Sequence, residues 1–270
     1  MSKVKYNLEI SEIYKPIIEL AIQIGEFQKE AFETKTFEIH TKSSDVDLVT
    51  EIDLESDKRI VKTISQHFIG DSILSEEEGL KVGSNDYQWI IDPLDGTTNF
   101  SIGHPIFAIS IARWKSDDPI FGLVYVPMLN ALYIAEKDKG AYFNGKRIAI
   151  SHQVDLKKSV IGTGFPYDRA TATNNNGENV RKIVPMVKGI RRLGAAAYDL
   201  CLVASGVYDA FWELRLSKWD LAAGKLMILE SGGSWHEFVE NDKYNIVTGS
   251  ATLCDQLNHE LNLRNGERGV

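Results

Sequence analysis

The sequence is poor in the residues on which several classes of protein depend. It holds two cysteines and six histidines among 270 residues, and neither type occurs at the spacing of a zinc site. Cys201 and Cys254 lie in apolar surroundings, which predicts buried free thiols in a reducing cytoplasm. No Gly-x-Ser-x-Gly elbow, dinucleotide fingerprint or P-loop is present, so a serine hydrolase or a nucleotide-binding protein of those types is not indicated.

Basic charge and long apolar runs are scarce as well. Thirty Lys and Arg residues against 38 Asp and Glu residues give a net charge of −8, which argues against binding to nucleic acid polymers or anionic membranes. No window approaches the ~20 apolar residues of a membrane span, and the N-terminus has no apolar core of signal-peptide type. With 43% apolar and 25% charged residues, the composition is that of a folded protein of enzyme size, and we expect it in the cytoplasm.

The order of predicted elements divides the chain into two parts. Residues 1–150 are expected to form an α+β subdomain, with helices near 8–32 and 54–68 and then an antiparallel sheet whose last strand is 147–150. Residues 151–270 are expected to form an α/β subdomain, because strands alternate there with helices rich in small residues. The sequence becomes polar between the two parts, which is typical of a boundary.

The stretch Trp89–Phe100 (WIIDPLDGTTNF) stands at the centre of this pattern. Its first three residues predict a buried strand, and Pro93 predicts that the strand ends at Asp92. Asp95 follows three positions later, and Gly96-Thr97-Thr98 supplies a flexible turn, hydroxyl groups and free backbone N–H groups. Two carboxylates on one tight turn suit divalent cations, and the turn that follows suits a phosphate.

Other carboxylates occur at predicted strand ends or helix starts, each with a purely structural alternative. Asp53 precedes a helical register and either caps that helix or takes part in chemistry. Glu76 opens a run of three glutamates, which is either a solvated face or part of a site at the sheet edge. Glu213 lies on a predicted strand, and Asp220 opens a helix. Oxygen donors without His or Cys favour Mg²⁺, with Mn²⁺ as a substitute.

A glycosidase is the alternative that two close carboxylates raise. The carboxylates of glycosidases usually sit on separate strands at a fixed gap, whereas Asp92 and Asp95 share one turn. The turn therefore favours metal binding.

With these residues in view, the sequence resembles the inositol monophosphatase family of metal-dependent, lithium-sensitive phosphatases. The order and spacing of the matching segments agree over nearly the whole chain, and the two signature motifs together are highly specific. The matching segments are Asp92–Phe100, the motif that begins at Trp219-Asp220, Glu76-Glu77, Lys42–Thr50 with Asp53, and Gly194-Ala195-Ala196.

The resemblance implies a layered αβαβα sandwich, the inositol monophosphatase or sugar phosphatase-like fold, usually in a homodimer. It also implies direct hydrolysis of a phosphate monoester by a metal-bound water, with two or three Mg²⁺ ions per site. The ions would be bound by Glu76, Asp92, Asp95, Asp220, the Leu94 carbonyl and the Thr97 hydroxyl. Thr97 would pair with Asp53 to orient or activate the water, with Glu76 as the third catalytic residue, and Gly96 and Thr97 would hold the phosphate.

The same resemblance indicates the substrate. Asp95, Gly194, Ala195, Ala196, Glu213 and Asp220 would face the hydroxyls of the alcohol, and Glu213 favours a polyol such as inositol. Relatives often carry Ser or Thr where this chain has Ala195, which removes one hydroxyl and leaves room for larger phosphates. The alternatives are the same chemistry on fructose 1,6-bisphosphate, a nucleotide 3′-phosphate or NADP, or a non-catalytic regulatory binding protein.

Overall fold

The computed structural model describes residues 9–35, 37–41, 48–261 and 263. Residues 42–47 of the matching segment Lys42–Thr50 lie outside these residues. Seven α-helices lie in the described part of the chain, and a short 3₁₀ turn (Glu12–Tyr14) precedes the first. They are α1 (Lys15–Thr34), α2 (Glu51–His67), α3 (Thr97–Ile102), α4 (Gly177–Ile183), α5 (Ala196–Ala204), α6 (Lys218–Glu230) and α7 (Ala251–Glu260).

The larger of the sheets has eight strands. Their spatial order is β10-β9-β8-β7-β6-β5-β3-β4, and every pair is antiparallel except β3 with β5. The strands are β3 (Ser72–Ser75), β4 (Gly79–Lys81), β5 (Tyr87–Asp95), β6 (Ala108–Lys115), β7 (Asp118–Val126), β8 (Ala131–Glu136), β9 (Gly140–Phe143) and β10 (Lys146–Arg147).

Two smaller sheets complete the strands of the described residues. A two-stranded sheet pairs β1 (Ile39–Thr41) with β2 (Leu48–Thr50) in antiparallel fashion. A five-stranded sheet has the order β12-β11-β13-β15-β14, parallel on one side of β13 and antiparallel on the other. Its strands are β11 (Val160–Thr163), β12 (Gly189–Arg191), β13 (Ala210–Leu216), β14 (Ser234–Glu240) and β15 (Lys243–Gly249).

Three of the four hydrophobic clusters lie between the five layers of the fold. The first lies between helices α1 and α2 and one face of the large sheet. The second lies around α5 and α6, which pack between the eight-stranded sheet and the five-stranded sheet. The third lies between the five-stranded sheet and the helices α4 and α7. Within β5, Trp89 and Ile91 face the first core while Ile90 faces the second, which is why this strand is apolar without alternation. The αβαβα sandwich that the sequence predicted is confirmed.

Strand β5 extends further than expected. It continues through Pro93 to Asp95, whereas the sequence predicted an end at Asp92. Its pairing with β6 shifts register between Asp92 and Asp95, so the strand is irregular there. Pro93 is tolerated because a bulge leaves a residue outside the ladder, where no N–H group is needed. The predicted strand end was wrong, but the break in regular pairing does fall at the carboxylates.

Two other differences concern the ends of the sheets. The strand predicted at 147–150 is shorter, because β10 ends at Arg147 and the Ile150 N–H donates instead to the Ser231 carbonyl at 3.2 Å. The hairpin of β14 and β15 and the helix α7 have no counterpart among the predicted elements. The turn of that hairpin is formed by Asn241 and Asp242, both with positive φ, a conformation that such short polar residues adopt more readily than others.

Cys201 and Cys254 are buried free thiols, as predicted. Among the described residues, none of the helices combines the length and the apolar character that crossing a membrane requires.

Candidate active site

The end of β5 forms the floor of the candidate site. Asp92 is 2% exposed, and its Oδ1 accepts a hydrogen bond from the Leu94 N–H at 3.0 Å. Gly96 follows with φ of 94°, a left-handed conformation that glycine adopts without strain, and α3 begins at the next residue. A Cβ atom on Gly96 would lie 3.1 Å from the Ile106 carbonyl and 3.2 Å from the Gly194 carbonyl. The turn therefore requires glycine for its conformation and for its close contact with two other segments.

Glu76 joins this floor from the neighbouring strand. Its N–H donates to the Ile91 carbonyl at 3.1 Å, so the parallel pairing of β3 and β5 continues to the point where both carry a carboxylate. The carboxylates of Glu76 and Asp92 thus lie close to each other at the ends of the two strands. Burial raises the pKa of Asp92 well above its ordinary value, and the negative charges of Glu76 and Asp95 raise it further.

Asp95 faces the start of helix α5. Its two carboxylate oxygens accept hydrogen bonds from the Ala196 N–H at 3.2 Å and the Ala197 N–H at 2.7 Å. These N–H groups belong to the first turn of a helix, where an anion is favoured. Burial nevertheless raises the pKa of Asp95 to about 7, with the negative charge of Glu76 acting in the same direction. Asp95 thus links the carboxylate floor to the Gly194–Ala196 segment.

Asp53 makes one contact that belongs to a helix cap and a second contact toward the candidate site. It is the third residue of α2, and its Oδ2 accepts hydrogen bonds from the Thr50 N–H at 2.9 Å and from the Thr50 hydroxyl, which completes a capping box. Its Oδ1 accepts a hydrogen bond from the Thr97 hydroxyl at 2.9 Å, across 44 positions of sequence. Burial raises the pKa of Asp53 to about 6, although its hydrogen bonds with Thr50 lower it.

Asp220 approaches from the opposite side, at the third position of α6. Its Oδ2 accepts a hydrogen bond from the Ser217 N–H at 2.7 Å. Burial raises its pKa well above the ordinary value, and the negative charges of Asp95 and Glu76 add to the effect. Asp95 and Glu76 are distant from Asp220 in sequence, and they affect its pKa because all three residues lie around one cavity.

That cavity has a volume of about 250 Å³. It brings together six donors that the sequence nominated as metal ligands, and the Gly96 turn lies among them. The lining residues are Glu76, Asp92, Leu94, Asp95, Gly96, Thr97, Tyr167, Ser217, Trp219, Asp220 and Lys243. Asp53 lies behind the lining, in contact with it through Thr97.

Of the residues expected to face the alcohol, Asp95 and Asp220 line the cavity, whereas Gly194, Ala195, Ala196 and Glu213 lie beside it. Glu213 is 9% exposed and packs against the backbone of Gly164, where a Cβ atom would lie 1.9 Å from Glu213 Oε1. Burial raises the pKa of Glu213 to about 8. Ala195 is 1% exposed, so its methyl group fills the interior rather than an open wall.

Three cavity residues were not predicted to be functional. Lys243 donates from Nζ to the Ser217 hydroxyl at 2.8 Å, and it comes from the hairpin for which no elements were predicted. Tyr167 comes from the polar loop before α4, where one aromatic residue among polar ones was the available signal. Ser217 precedes Asp220 by three positions, which is the spacing of a capping box and the signal for its place.

The chemistry of the donor set fits a hard divalent cation. All the candidate ligand atoms are oxygens, and four of the residues are carboxylates whose repulsion a cation would relieve. Among the described residues, no group of three or more His, Cys, Asp or Glu side chains is arranged to hold an ion as it stands. The hydrogen bonds described above account for this, because they already engage oxygens of Asp92, Asp95 and Asp220. An entering cation would exchange with those bonds and bind the ionised carboxylates.

Comparison with known proteins places this arrangement in context. The model of the inositol monophosphatase family matches residues 9–264. The chain is 42% identical over 219 residues to the Nus factor SuhB of Pseudomonas aeruginosa, covering 77% of this chain and 80% of that protein. It is 37% identical over 260 residues to a fructose-1,6-bisphosphatase/inositol-1-monophosphatase of Aquifex aeolicus, covering 94% and 95%. The crystal structure of the extragenic suppressor protein suhB from Bartonella henselae superposes with a TM-score of 0.86 at 32% identity, covering 96% of this chain and 100% of that one.

Proposed function

The chain belongs to the inositol monophosphatase family, and we propose that it is a Mg²⁺-dependent phosphatase whose substrate is inositol monophosphate. The observation that carries the proposal is the convergence of six oxygen donors on one cavity beside the Gly96 turn. These donors come from four separate places in the chain, the ends of β3 and β5, the start of α3 and the start of α6. A purely structural role for all of them is hard to reconcile with the cost of placing four carboxylates, two of them buried, around one cavity.

The proposed ligands are the carboxylates of Glu76, Asp92, Asp95 and Asp220, the Leu94 carbonyl and the Thr97 hydroxyl. We propose two or three Mg²⁺ ions, with Mn²⁺ as a substitute, because this donor set is hard and rich in charge. Bound cations of this kind supply a more acidic water and neutralise charge on the phosphate and on the leaving oxygen. The protein contributes the fixed positions of the donors, since Asp92 and Asp95 are tied to the backbone of Leu94, Ala196 and Ala197.

Thr97 and Asp53 are the proposed route for a proton. The Thr97 hydroxyl donates to Asp53 Oδ1 at 2.9 Å, so its own oxygen can accept a hydrogen bond from a water in the cavity. A proton leaving that water can pass through Thr97 Oγ1 to Asp53 Oδ1 while the water attacks phosphorus. The P–O bond to the alcohol then breaks, and the departing alkoxide takes a proton from solvent water. Glu76 is the third proposed catalytic residue, since it lines the same cavity. No covalent phosphoenzyme is needed in this scheme.

The two parts of the substrate are proposed to occupy different walls. The N–H groups of Gly96 and Thr97 point from the turn toward the phosphate, and Asp95 and Asp220 lie toward the alcohol. Behind Asp95, the Gly194-Ala195-Ala196 segment and Glu213 shape the alcohol side. A carboxylate such as Glu213 accepts hydrogen bonds from neighbouring hydroxyls, which favours a polyol.

A phosphate-release assay tests the proposal. Purified protein with Mg²⁺ is incubated with inositol monophosphate, fructose 1,6-bisphosphate, NADP and a nucleotide 3′-phosphate, and inorganic phosphate is measured. We expect the highest kcat/KM for inositol monophosphate. A higher value for one of the others would reassign the substrate, and no release from any of them would end the enzyme proposal. The same assay with Asp92→Asn, which removes one ligand charge, is the matched inactive control.

A regulatory binding role is the second candidate, because one relative carries the name Nus factor. Against a role without catalysis, every carboxylate nominated as a ligand is present in the cavity. A calorimetric titration with Mg²⁺ separates the two candidates, since a regulator without catalysis has no need for a Mg²⁺ site and an enzyme of this kind requires one.

Three further proposals rest on family membership. We propose a homodimer, inhibition by Li⁺ and a cytoplasmic location. Sedimentation of the purified protein tests the first, a Li⁺ dose series in the phosphate-release assay tests the second, and fractionation of the cells that produce the protein tests the third.

A further inference from the structure

Tyr167 is the one aromatic hydroxyl on the cavity lining, and it enters from a loop that carries none of the nominated ligands. The loop follows β11 and precedes α4, in the second half of the chain. The Tyr167 side chain is 59% exposed because it lies at an open edge of the cavity. Its hydroxyl makes no hydrogen bond to any residue that the structure describes, whereas Lys243, which also lines the cavity, already donates to Ser217.

The phenol faces the carboxylates across the cavity. Tyr167 and the carboxylates of Asp220, Glu76 and Asp95 line the same cavity. A phenol has an ordinary pKa of about 10, so the hydroxyl keeps its proton and remains a donor at neutral pH. Because the phenol is neutral, it does not compete with cations for the four carboxylates. It can therefore donate a hydrogen bond to an anionic ligand at a site that also binds cations.

An ion pair fixes the loop that carries Tyr167. The Arg215 guanidinium donates from Nε to Asp168 Oδ1 at 3.1 Å and from Nη2 to Asp168 Oδ2 at 2.6 Å, a two-point contact that sets orientation as well as distance. Arg215 lies in an irregular part of β13 with φ of 61°, an unusual conformation for a residue with a side chain. Its N–H donates to the buried Asn245 Oδ1 at 2.8 Å, which stabilises this turn of the backbone.

This contact links the loop to the strand that leads to Ser217 and Asp220. The paired side chains of Arg215 and Asp168 are 29% and 44% exposed, and exposed pairs contribute little to stability. Arg215 has an unusual backbone conformation, and its ion pair with Asp168 adds little to stability. The ion pair is therefore better explained by its effect on the residue next to Asp168, because it positions Tyr167.

We propose that Tyr167 is a phosphate-binding residue, whose phenol donates a hydrogen bond to a non-bridging oxygen of the substrate's phosphate, and that Asp168 and Arg215 are its positioning residues. This inference rests on the proposed phosphatase function. The Gly96 turn and Tyr167 line the same cavity from separate segments of the chain. A phosphate monoester has three non-bridging oxygens, so it can accept hydrogen bonds from both segments.

The first test compares Tyr167→Phe with wild type and with Tyr87→Phe, which removes a hydroxyl from a tyrosine lining a different cavity. A hydrogen bond to a charged group corresponds to about tenfold or more in affinity. We expect KM and the inhibition constant of inorganic phosphate to rise by about tenfold in Tyr167→Phe, with kcat within about threefold of wild type, because the contact exists before and during the reaction. Tyr87→Phe should match wild type.

A rise of KM below about threefold, or a loss confined to kcat, overturns the assignment. Calorimetric titration of inorganic phosphate into the protein with Mg²⁺ gives the same comparison without turnover. If wild type releases no phosphate from any substrate, the proposed function fails, and this titration still decides whether Tyr167 binds phosphate.

The positioning residues are tested by non-additivity. Asp168→Asn keeps the shape of the side chain and removes its charge, and we expect KM to rise by about threefold with an unchanged melting temperature. In the double variant Tyr167→Phe/Asp168→Asn, KM should equal that of Tyr167→Phe alone, because Asp168 acts through the phenol. Multiplicative effects of the two substitutions would overturn the positioning role.

Discussion

Helices α2 and α6 begin in the same way and yet present their aspartates differently. Each starts after a hydroxyl residue, Thr50 or Ser217, and each has an aspartate three positions later whose carboxylate accepts a hydrogen bond from the N–H of that residue. Both aspartates lie at the candidate site, where Asp53 is buried and Asp220 is half-buried. What separates them is the second contact that each can make.

Asp53 uses both of its oxygens inside the protein, one toward Thr50 and one toward Thr97. Asp220 binds the Ser217 N–H through Oδ2 and lines the cavity. Asp53 and Asp220 thus share one local sequence pattern, but Asp53 reaches the cavity only through Thr97, whereas Asp220 lines it. The difference comes from tertiary neighbours, and it is the basis for proposing Asp53 as a proton acceptor and Asp220 as a metal ligand.

The largest expected effect is that of Asp220→Asn. It removes a charge from the proposed ligand set while an amide oxygen can still accept the Ser217 hydrogen bond, so the helix start is preserved. We expect kcat/KM to fall by about a thousandfold or more, equivalent to about 4 kcal/mol, and calorimetry to show weaker Mg²⁺ binding. If turnover and Mg²⁺ affinity both stay within about threefold of wild type, Asp220 is a helix cap and nothing more.

Asp53→Asn should separate catalysis from metal binding. The loss of an acid–base residue typically costs about a hundredfold or more in rate, or about 3 kcal/mol. We therefore expect kcat to fall by about that factor, while the dissociation constant of Mg²⁺ changes by less than about threefold. The same calorimetric titration used for Asp220→Asn provides the control. Equal losses of Mg²⁺ affinity in the two variants would break the comparison.

The two aspartates should also differ in how pH affects the metal-free protein. The pKa of Asp53 is raised to about 6 and that of Asp220 is raised well above its ordinary value. In each case the folded state retains a proton that the unfolded chain releases, so stability is greatest at low pH and falls as pH rises through the folded pKa. A raise of about two pKa units corresponds to about 2.7 kcal/mol.

Melting temperatures in a chelator between pH 4 and pH 9 measure this effect. Asp53→Asn should remove the part of the decline that lies between about pH 4 and pH 6, and Asp220→Asn should remove a part that continues to higher pH. Mg²⁺ should reverse the decline in wild type, because it binds the ionised carboxylates of the folded protein. A wild-type stability that rises with pH over this range in the chelator would contradict the burial argument.

Local sequence patterns predicted the helix that contains Asp53, but not the contact between Asp53 and Thr97. The helix was predictable from the register of Leu54 through Ile64, but it begins at Glu51, so Asp53 lies within its first turn and Thr50 is the capping residue. The contact between Asp53 and Thr97 spans 44 residues, and no local pattern contains it. Only the resemblance to the family predicted this pairing, because it compares distant segments of the chain at the same time.

The same limit explains the other gaps. Residues 92 to 97 are contiguous in sequence, so the floor of the site was predictable. The bulge that continues β5 past Pro93 was not predicted. Lys243 and Tyr167 reach the cavity from a hairpin and a loop without catalytic motifs. Their positions depend on the packing of the five-stranded sheet, including the bulge near Arg215, and a single-residue shift in that sheet would move them elsewhere.

The smallest expected effect concerns the two hydroxyl residues that start the helices. Thr50 is fully buried, and its hydroxyl both accepts from the Ile52 N–H at 3.2 Å and donates to Asp53. Ser217 is partly exposed, and its hydroxyl accepts from Lys243. Loss of a helix cap costs about 0.5 to 2 kcal/mol. Thr50→Val should fall at the upper end, because it also leaves a buried carboxylate with one donor fewer, and Ser217→Ala at the lower end.

Urea denaturation of the two variants measures this difference, and kcat measures its consequence. Thr50→Val should also lower kcat by a few-fold, about 1 kcal/mol or less, since Asp53 loses part of what orients it toward Thr97. Ser217→Ala should leave kcat close to wild type, because the Ser217 N–H that holds Asp220 remains. Equal destabilisation with equal kcat would mean that the two caps are interchangeable, and that the difference between Asp53 and Asp220 lies entirely in Thr97.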